Sequence, residues 1–150
     1  MTKILVLYGS LTGNTQNVAE KLTKIIKAKQ PNIALKNVAE AQVNELQDYD
    51  YLILGSSTWD DGHLQYDFQS FYDQLESSPP DLNGKKLAVF GCGDTAYEKF
   101  CAAVQILENK FTQLGCEKII AGLKIDGFPD DPANLQATEQ WGKKLREKLG

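Results

Sequence analysis

Three short segments of the 150-residue chain combine glycines, hydroxyls and aromatic rings at spacings that suit ligand binding. The first reads Gly9, Ser10, Leu11, Thr12, Gly13, Asn14, Thr15 and leads into a helical pattern that starts near Gln16. The hydroxyls of Ser10, Thr12 and Thr15, the Asn14 amide and the N–H groups that any helix start leaves without intrahelical partners can donate to the oxygens of a phosphate. The segment holds no lysine or arginine. A triphosphate loop needs the lysine of G-x-x-x-x-G-K-[ST], so ATP or GTP is not the expected ligand. A Ser/Thr-rich turn that simply caps the helix accounts for the same residues without any ligand.

The second segment, Ser57, Thr58, Trp59, Asp60, Asp61, Gly62, His63, puts a large aromatic at a strand end, where full burial is hard to achieve. A flat ring stacked on Trp59 would add about 1 kcal/mol beyond burial; a tryptophan covering the core edge is the alternative. The third segment runs Gly91, Cys92, Gly93, Asp94, Thr95, Ala96, Tyr97, Glu98, Lys99, Phe100, Cys101. Its two glycines admit close backbone approach, Tyr97 can form a second flat wall, and Asp94 can meet the polar edge of a heterocycle or serve as an ordinary helix cap. His63, the single histidine, has neither a metal-ligand cluster nor a Ser/His/Asp arrangement around it in sequence. It reads as a solvated loop residue, close enough to the second segment to give a bound ligand a modest pH dependence.

The elements that must position these segments are legible from periodicity. Ile4 to Tyr8, Tyr51 to Ser56 and Leu87 to Phe90 are apolar runs without alternation, as expected of central parallel strands. The weaker runs Ile33 to Val38 and Lys118 to Ile125 belong nearer the sheet edges. Helical stripes appear at Val18, Leu22, Ile25 and Ile26, at Phe68, Phe71, Tyr72 and Leu75, and at Val104, Leu107, Phe111 and Leu114. Pro79 with Pro80 stops the second helix, Gly115 closes the third, and Pro132 opens a last one through Leu135, Trp141, Leu145 and Leu149. Strand and helix alternating in this way predict one doubly wound α/β domain over residues 1–150, with three layers and five parallel strands. In such a sheet ligands bind beyond the carboxyl ends of the strands, where the three segments fall.

Composition narrows the class further. Apolar residues at 42% and charged residues at 24% are ordinary for a compact soluble protein. The formal charge of −4 argues against nucleic acid or an anionic membrane as partner and favours basic-faced ones. The first apolar run is too short for a signal peptide or a membrane span, so a cytoplasmic location is expected. Cys92, Cys101 and Cys116 form no C-x-x-C pair and read as small buried hydrophobes.

Ser10-Leu11-Thr12-Gly13-Asn14-Thr15, the strand end Ser57-Thr58-Trp59, and Gly91-Cys92-Gly93-Asp94 through Tyr97 together resemble the flavodoxin family, and the resemblance spans the whole chain. It implies the strand order 2-1-3-4-5 with flavin mononucleotide (FMN) bound non-covalently at the switch point. By the same resemblance Ser10 to Thr15 enclose the FMN phosphate, Ser57 and Thr58 border the ribityl chain, and Trp59 and Tyr97 flank the isoalloxazine ring. Asp94 and the backbone near Cys92, Gly93, Phe100 and Cys101 face its pyrimidine edge. The last strand lacks the insertion of longer members, which marks a short-chain type, whereas Trp59-Asp60-Asp61-Gly62 looks like the loop of the longer type. In the family a peptide of this loop flips on one-electron reduction; Asp60 in place of glycine would disfavour the flip by roughly 1 kcal/mol if positive φ is needed.

The implied function is that of a low-potential one-electron carrier with no substrate turnover of its own. It would shuttle electrons, as a monomer, between a basic-faced reductase and acceptor enzymes. Three rivals compete: an FMN enzyme of the same fold, a phosphate-switched signalling domain and a flavin-free interaction module. The chain has little sequence to spare for a substrate pocket. It also lacks aspartates after the first and third strands, where Tyr8-Gly9-Ser10 and Gly55-Ser56-Ser57 stand instead.

Overall fold

The computed structural model describes residues 2–9, 13–59, 63–93 and 102–149, except for the side chains of Trp59 and His63. Strand β1 (Ile4–Gly9) is buried at every position, which is why its sequence shows no alternation. It pairs in parallel with β2 (Ile33–Asn37) on one side and with β3 (Tyr51–Trp59) on the other. Beyond β3 lies β5 (Lys86–Gly93), and the far edge is shared by β6 (Glu117–Lys118) and β7 (Leu123–Asp126), both parallel to β5. Counted by position, the order is the 2-1-3-4-5 expected from the resemblance.

Two details depart from the sequence reading. A two-residue strand β4 (His63–Leu64), not expected from the sequence, folds back antiparallel on β3, pairing Thr58 with Leu64 and Trp59 with His63 at the strand end. The edge strand expected as one run from Lys118 to Ile125 is interrupted at residues 119–122. The interruption has a cause in the neighbouring helix: Trp141 Nε1 donates 2.7 Å to the Ala121 carbonyl, drawing that peptide out of the ladder.

Side chains alternate across the sheet and build two cores. On one face Leu5, Leu7, Leu52, Leu54, Leu87 and Val89 meet α2 (Tyr66–Ser77) and α3 (Ala102–Gln113). On the other Ile4, Val6, Ile53, Ala88, Phe90 and Ile125 meet α1 (Asn14–Lys27) and α4 (Pro132–Lys148). The result is the predicted three-layer arrangement, closed on both faces as a parallel sheet requires. Phe68, Phe71, Phe90 and Phe111 are fully buried, each worth on the order of 2 to 3 kcal/mol of apolar transfer. No described helix is long and apolar enough to cross a membrane.

Candidate functional site

The sheet register fixes where the three chemical segments begin. Gly9 lies beside Ser56, Ser57 beside Cys92, and Cys92 beside Ile125. Because these strands are parallel, β1, β3 and β5 release the chain side by side at one edge of the sheet. The winding also reverses there: β2 and β3 flank β1 on opposite sides, with α1 over one face and α2 and α3 over the other. That is the switch-point crevice of an open α/β sheet. Of the residues singled out from sequence, Gly13, Asn14, Thr15, Ser57, Thr58, Cys92, Gly93 and the backbone of Trp59 lie within the described structure. Ser10, Leu11, Thr12, Asp60, Gly62, Asp94, Tyr97, Phe100 and Cys101 lie outside the described residues.

Helix α1 starts at Asn14, two residues before the sequence suggested, with Gly13 as its cap. Gly13 has φ 93° and ψ −8°, a left-handed conformation open to glycine and strained for residues with a Cβ. Among the described residues no side chain caps this end, and no acidic residue stands in the first turn to compete for an anion. Thr15 is completely buried, and its Oγ1 has no oxygen or nitrogen partner among the described residues. Its polar neighbour is the Cys92 sulfur, a weak acceptor that leaves the hydroxyl available to a stronger one. Burial pushes the Cys92 thiol up to about 11, with the Thr15 hydroxyl pulling the other way. Cys116, buried under the opposite core, is likewise held near 11 by desolvation, so both described cysteines are the inert hydrophobes expected.

Thr58 has a structural duty the sequence did not show. Its Oγ1 accepts the N–H of Ala103 at 3.0 Å, capping the first turn of α3 from the end of β3. The side-chain oxygen is thus engaged with protein. Ser56 and Gln65 were also missed. Gln65 N–H donates to Ser56 Oγ at 3.1 Å, and Gln65 Oε1 accepts from the N–H groups of Asp67 and Phe68, capping α2. This buried amide is admitted because Gly9 has no side chain: a Cβ there would come within 2.4 Å of Gln65 Oε1. Glutamine is not among the preferred caps, so nothing in the sequence alone marked it.

The acidic rim after β7 is partly neutralised. Asp130 accepts from Lys21 Nζ at 2.9 Å and from Asn17 Nδ2 at 3.4 Å, and these hydrogen bonds hold its carboxyl below the ordinary range. Asn134 Nδ2 donates to the carbonyls of Asp126 and Phe128, both at 2.8 Å, and so fixes the turn between β7 and α4.

An open parallel sheet whose strand ends converge beside the start of a helix at the switch point is the arrangement of a mononucleotide-binding α/β domain. Comparison with known proteins agrees. The Flavodoxin family model matches residues 6–141. A flavodoxin of Maridesulfovibrio salexigens is 41% identical over 99% of this chain and 100% of its own length. The crystal structure of oxidised flavodoxin 2 from Bacillus cereus superposes with a TM-score of 0.93 at 39% identity, covering 99% of this chain and all of that one. In fold alone, at 20% identity, the chain also matches the Fusobacterium nucleatum flavodoxin solved bound to flavin mononucleotide, with a TM-score of 0.84 over the full length of both. The chain belongs to the flavodoxin family, whose members are FMN-binding electron-transfer proteins and not substrate-turning enzymes.

Proposed function

We propose that this chain holds FMN through Ser10 to Thr15, with Ser57 and Thr58 along the ribityl chain and Trp59 and Tyr97 on the two faces of the ring. Asp60, Gly62, Cys92, Gly93, Asp94, Phe100 and Cys101 complete the surroundings of the ring. The observation that carries the reading is the buried Thr15 hydroxyl, which meets only the Cys92 sulfur among the described residues, at a helix start with no acid in its first turn. A phosphate there would accept from Thr15 Oγ1 and the first-turn N–H groups, with the helix dipole taking the place of a cation. FMN supplies the one-electron chemistry; the protein's contribution is to bind it in each redox state and bias which is favoured.

That bias is electrostatic. Asp126 ends β7 and Asp131 follows it on the cofactor side of the sheet, and Asp60, Asp61, Asp94 and Glu98 belong to the flavin segments. At about 10 Å and an effective dielectric of roughly 40 to 80, each carboxylate costs an added negative charge about 0.4 to 0.8 kcal/mol before screening. Asp130 contributes less because Lys21 neutralises it. The same rim favours a basic face on the reductase and on the electron acceptors, with the carrier working as a cytoplasmic monomer.

Titration of the purified protein with FMN, followed by anaerobic stepwise reduction, tests the reading. Stoichiometric uptake, with reduction passing through a one-electron stage and no direct oxidation of NADPH, is expected. Failure to take up FMN would remove the assignment of all three segments, and rapid NADPH oxidation would make the chain an enzyme.

A further inference from the structure

A groove of about 780 Å³ runs along the outer face of α1, between that helix and the edge strand β2. Its walls carry Lys21, Lys24 and Lys27 from the helix and Leu35 from the strand, with Glu20 as the one acid. In a chain of net charge −4 this face has the opposite sign. Lys21 is shared with Asp130, but Lys24 and Lys27 make no ion pair among the described residues. Leu35 is 36% exposed, one of three large apolar side chains left open to solvent among the described residues.

The register shows what the strand offers. Ile4 lies beside Ile33, and Ile4 N–H donates to the Asn32 carbonyl. In a parallel ladder that places the backbone groups of residues 32, 34 and 36 toward β1 and those of Ile33, Leu35 and Asn37 toward the open edge. β2 pairs with no other described strand, so this edge is unfilled. Leu35 sits opposite Val6, on the α1 face, and so projects into the groove. Lys36 points to the other face and is held by Glu45, which leaves no edge lysine to block the α1 side.

We infer that this groove is a docking site for an extended acidic segment of a protein partner, added as a strand beside β2 with its carboxylates on Lys24 and Lys27 and an apolar side chain on Leu35. The dimensions agree: the 14 residues of α1 span about 21 Å and the five of β2 about 17 Å, room for five or six extended residues. An extended occupant satisfies the edge N–H and carbonyl groups, which a helix cannot do, and alternation puts one side-chain set into the groove. The groove reaches Gly13, so a partner held there stands beside the end of the sheet where the flavin segments begin.

The test uses ¹⁵N-labelled, FMN-loaded protein and an acetylated, amidated octapeptide with glutamate, valine, glutamate and valine at its odd positions, all on one face of an extended strand, and threonine between them; the peptide with lysine for glutamate is the comparison. The expected result is saturable one-to-one binding of the glutamate peptide with amide shifts at Ile33, Leu35 and Asn37. The Lys24→Glu, Lys27→Glu double variant, which still takes up FMN, should weaken it about tenfold or more. Shifts confined to residues 13–17, equal binding of both peptides, or no change in the double variant would overturn the docking site. So would sedimentation showing the edge occupied by a second copy of the chain.

Discussion

A buried hydroxyl without an oxygen or nitrogen partner is costly, on the order of 1 to 3 kcal/mol, and among the described residues Thr15 keeps one at the start of α1. Replacing it by an isosteric apolar side chain separates structural from binding roles. Thr15→Val is expected to leave the melting temperature of the flavin-free protein unchanged or slightly raised. FMN affinity should fall about 10- to 100-fold, the worth of a hydrogen bond to a charged acceptor. Calorimetry and flavin fluorescence quenching check the two halves; a drop in stability with unchanged affinity would return Thr15 to the core. Cys92 gives a second test at this scale. Its folded thiol titrates near 11 against an ordinary value of 9.0. Between those values the unfolded chain loses the proton while the folded chain keeps it, so this contribution is full below pH 9 and drains away toward pH 11. Two units correspond to roughly 2 to 3 kcal/mol, and Cys92→Ala should flatten that part of the alkaline stability curve measured by urea unfolding.

At the scale of elements, the contact that joins the segments is a cap. Thr58 on β3 accepts from Ala103 at the start of α3, so the start of the second segment is tied by one hydrogen bond to the helix that follows the third. Thr58→Val removes the acceptor and is expected to cost about 1 kcal/mol of stability, while Thr58→Ser should restore most of it. Thermal unfolding of the three proteins decides; equal loss in both variants would point to packing of the threonine methyl instead. The same cap shows where sequence reading stops. β1, β3 and β5 were legible because strands buried on both faces must be apolar throughout, and the helices because each presents one apolar stripe. The Gly9–Gln65–Ser56 packing, the Thr58 cap and the Trp141 bond that breaks the last strand depend on residues 9 to 56 positions apart meeting in space. Local patterns carry no trace of such meetings. The segment proposed to hold the phosphate stood out for the opposite reason: its hydroxyls, glycines and helix start are consecutive in the chain.

For the whole molecule, ligand and fold are linked by mass action, because a site assembled from three strand ends does not exist in the unfolded chain. FMN at about one hundred times its dissociation constant should add roughly 2.7 kcal/mol. In a domain of 150 residues each kcal/mol raises the melting temperature by about 2 to 4 °C, so a shift of some 5 to 11 °C is expected. Riboflavin separates the anchor from the ring, since it brings the same isoalloxazine to the aromatic walls but has no phosphate for Thr15 and the first turn of α1. At the same concentration it should produce a distinctly smaller shift, and in Thr15→Val the gap between the two ligands should narrow. Equal stabilisation by riboflavin and FMN in the unaltered protein would mean that ring stacking alone holds the cofactor and that the helix start is an ordinary turn.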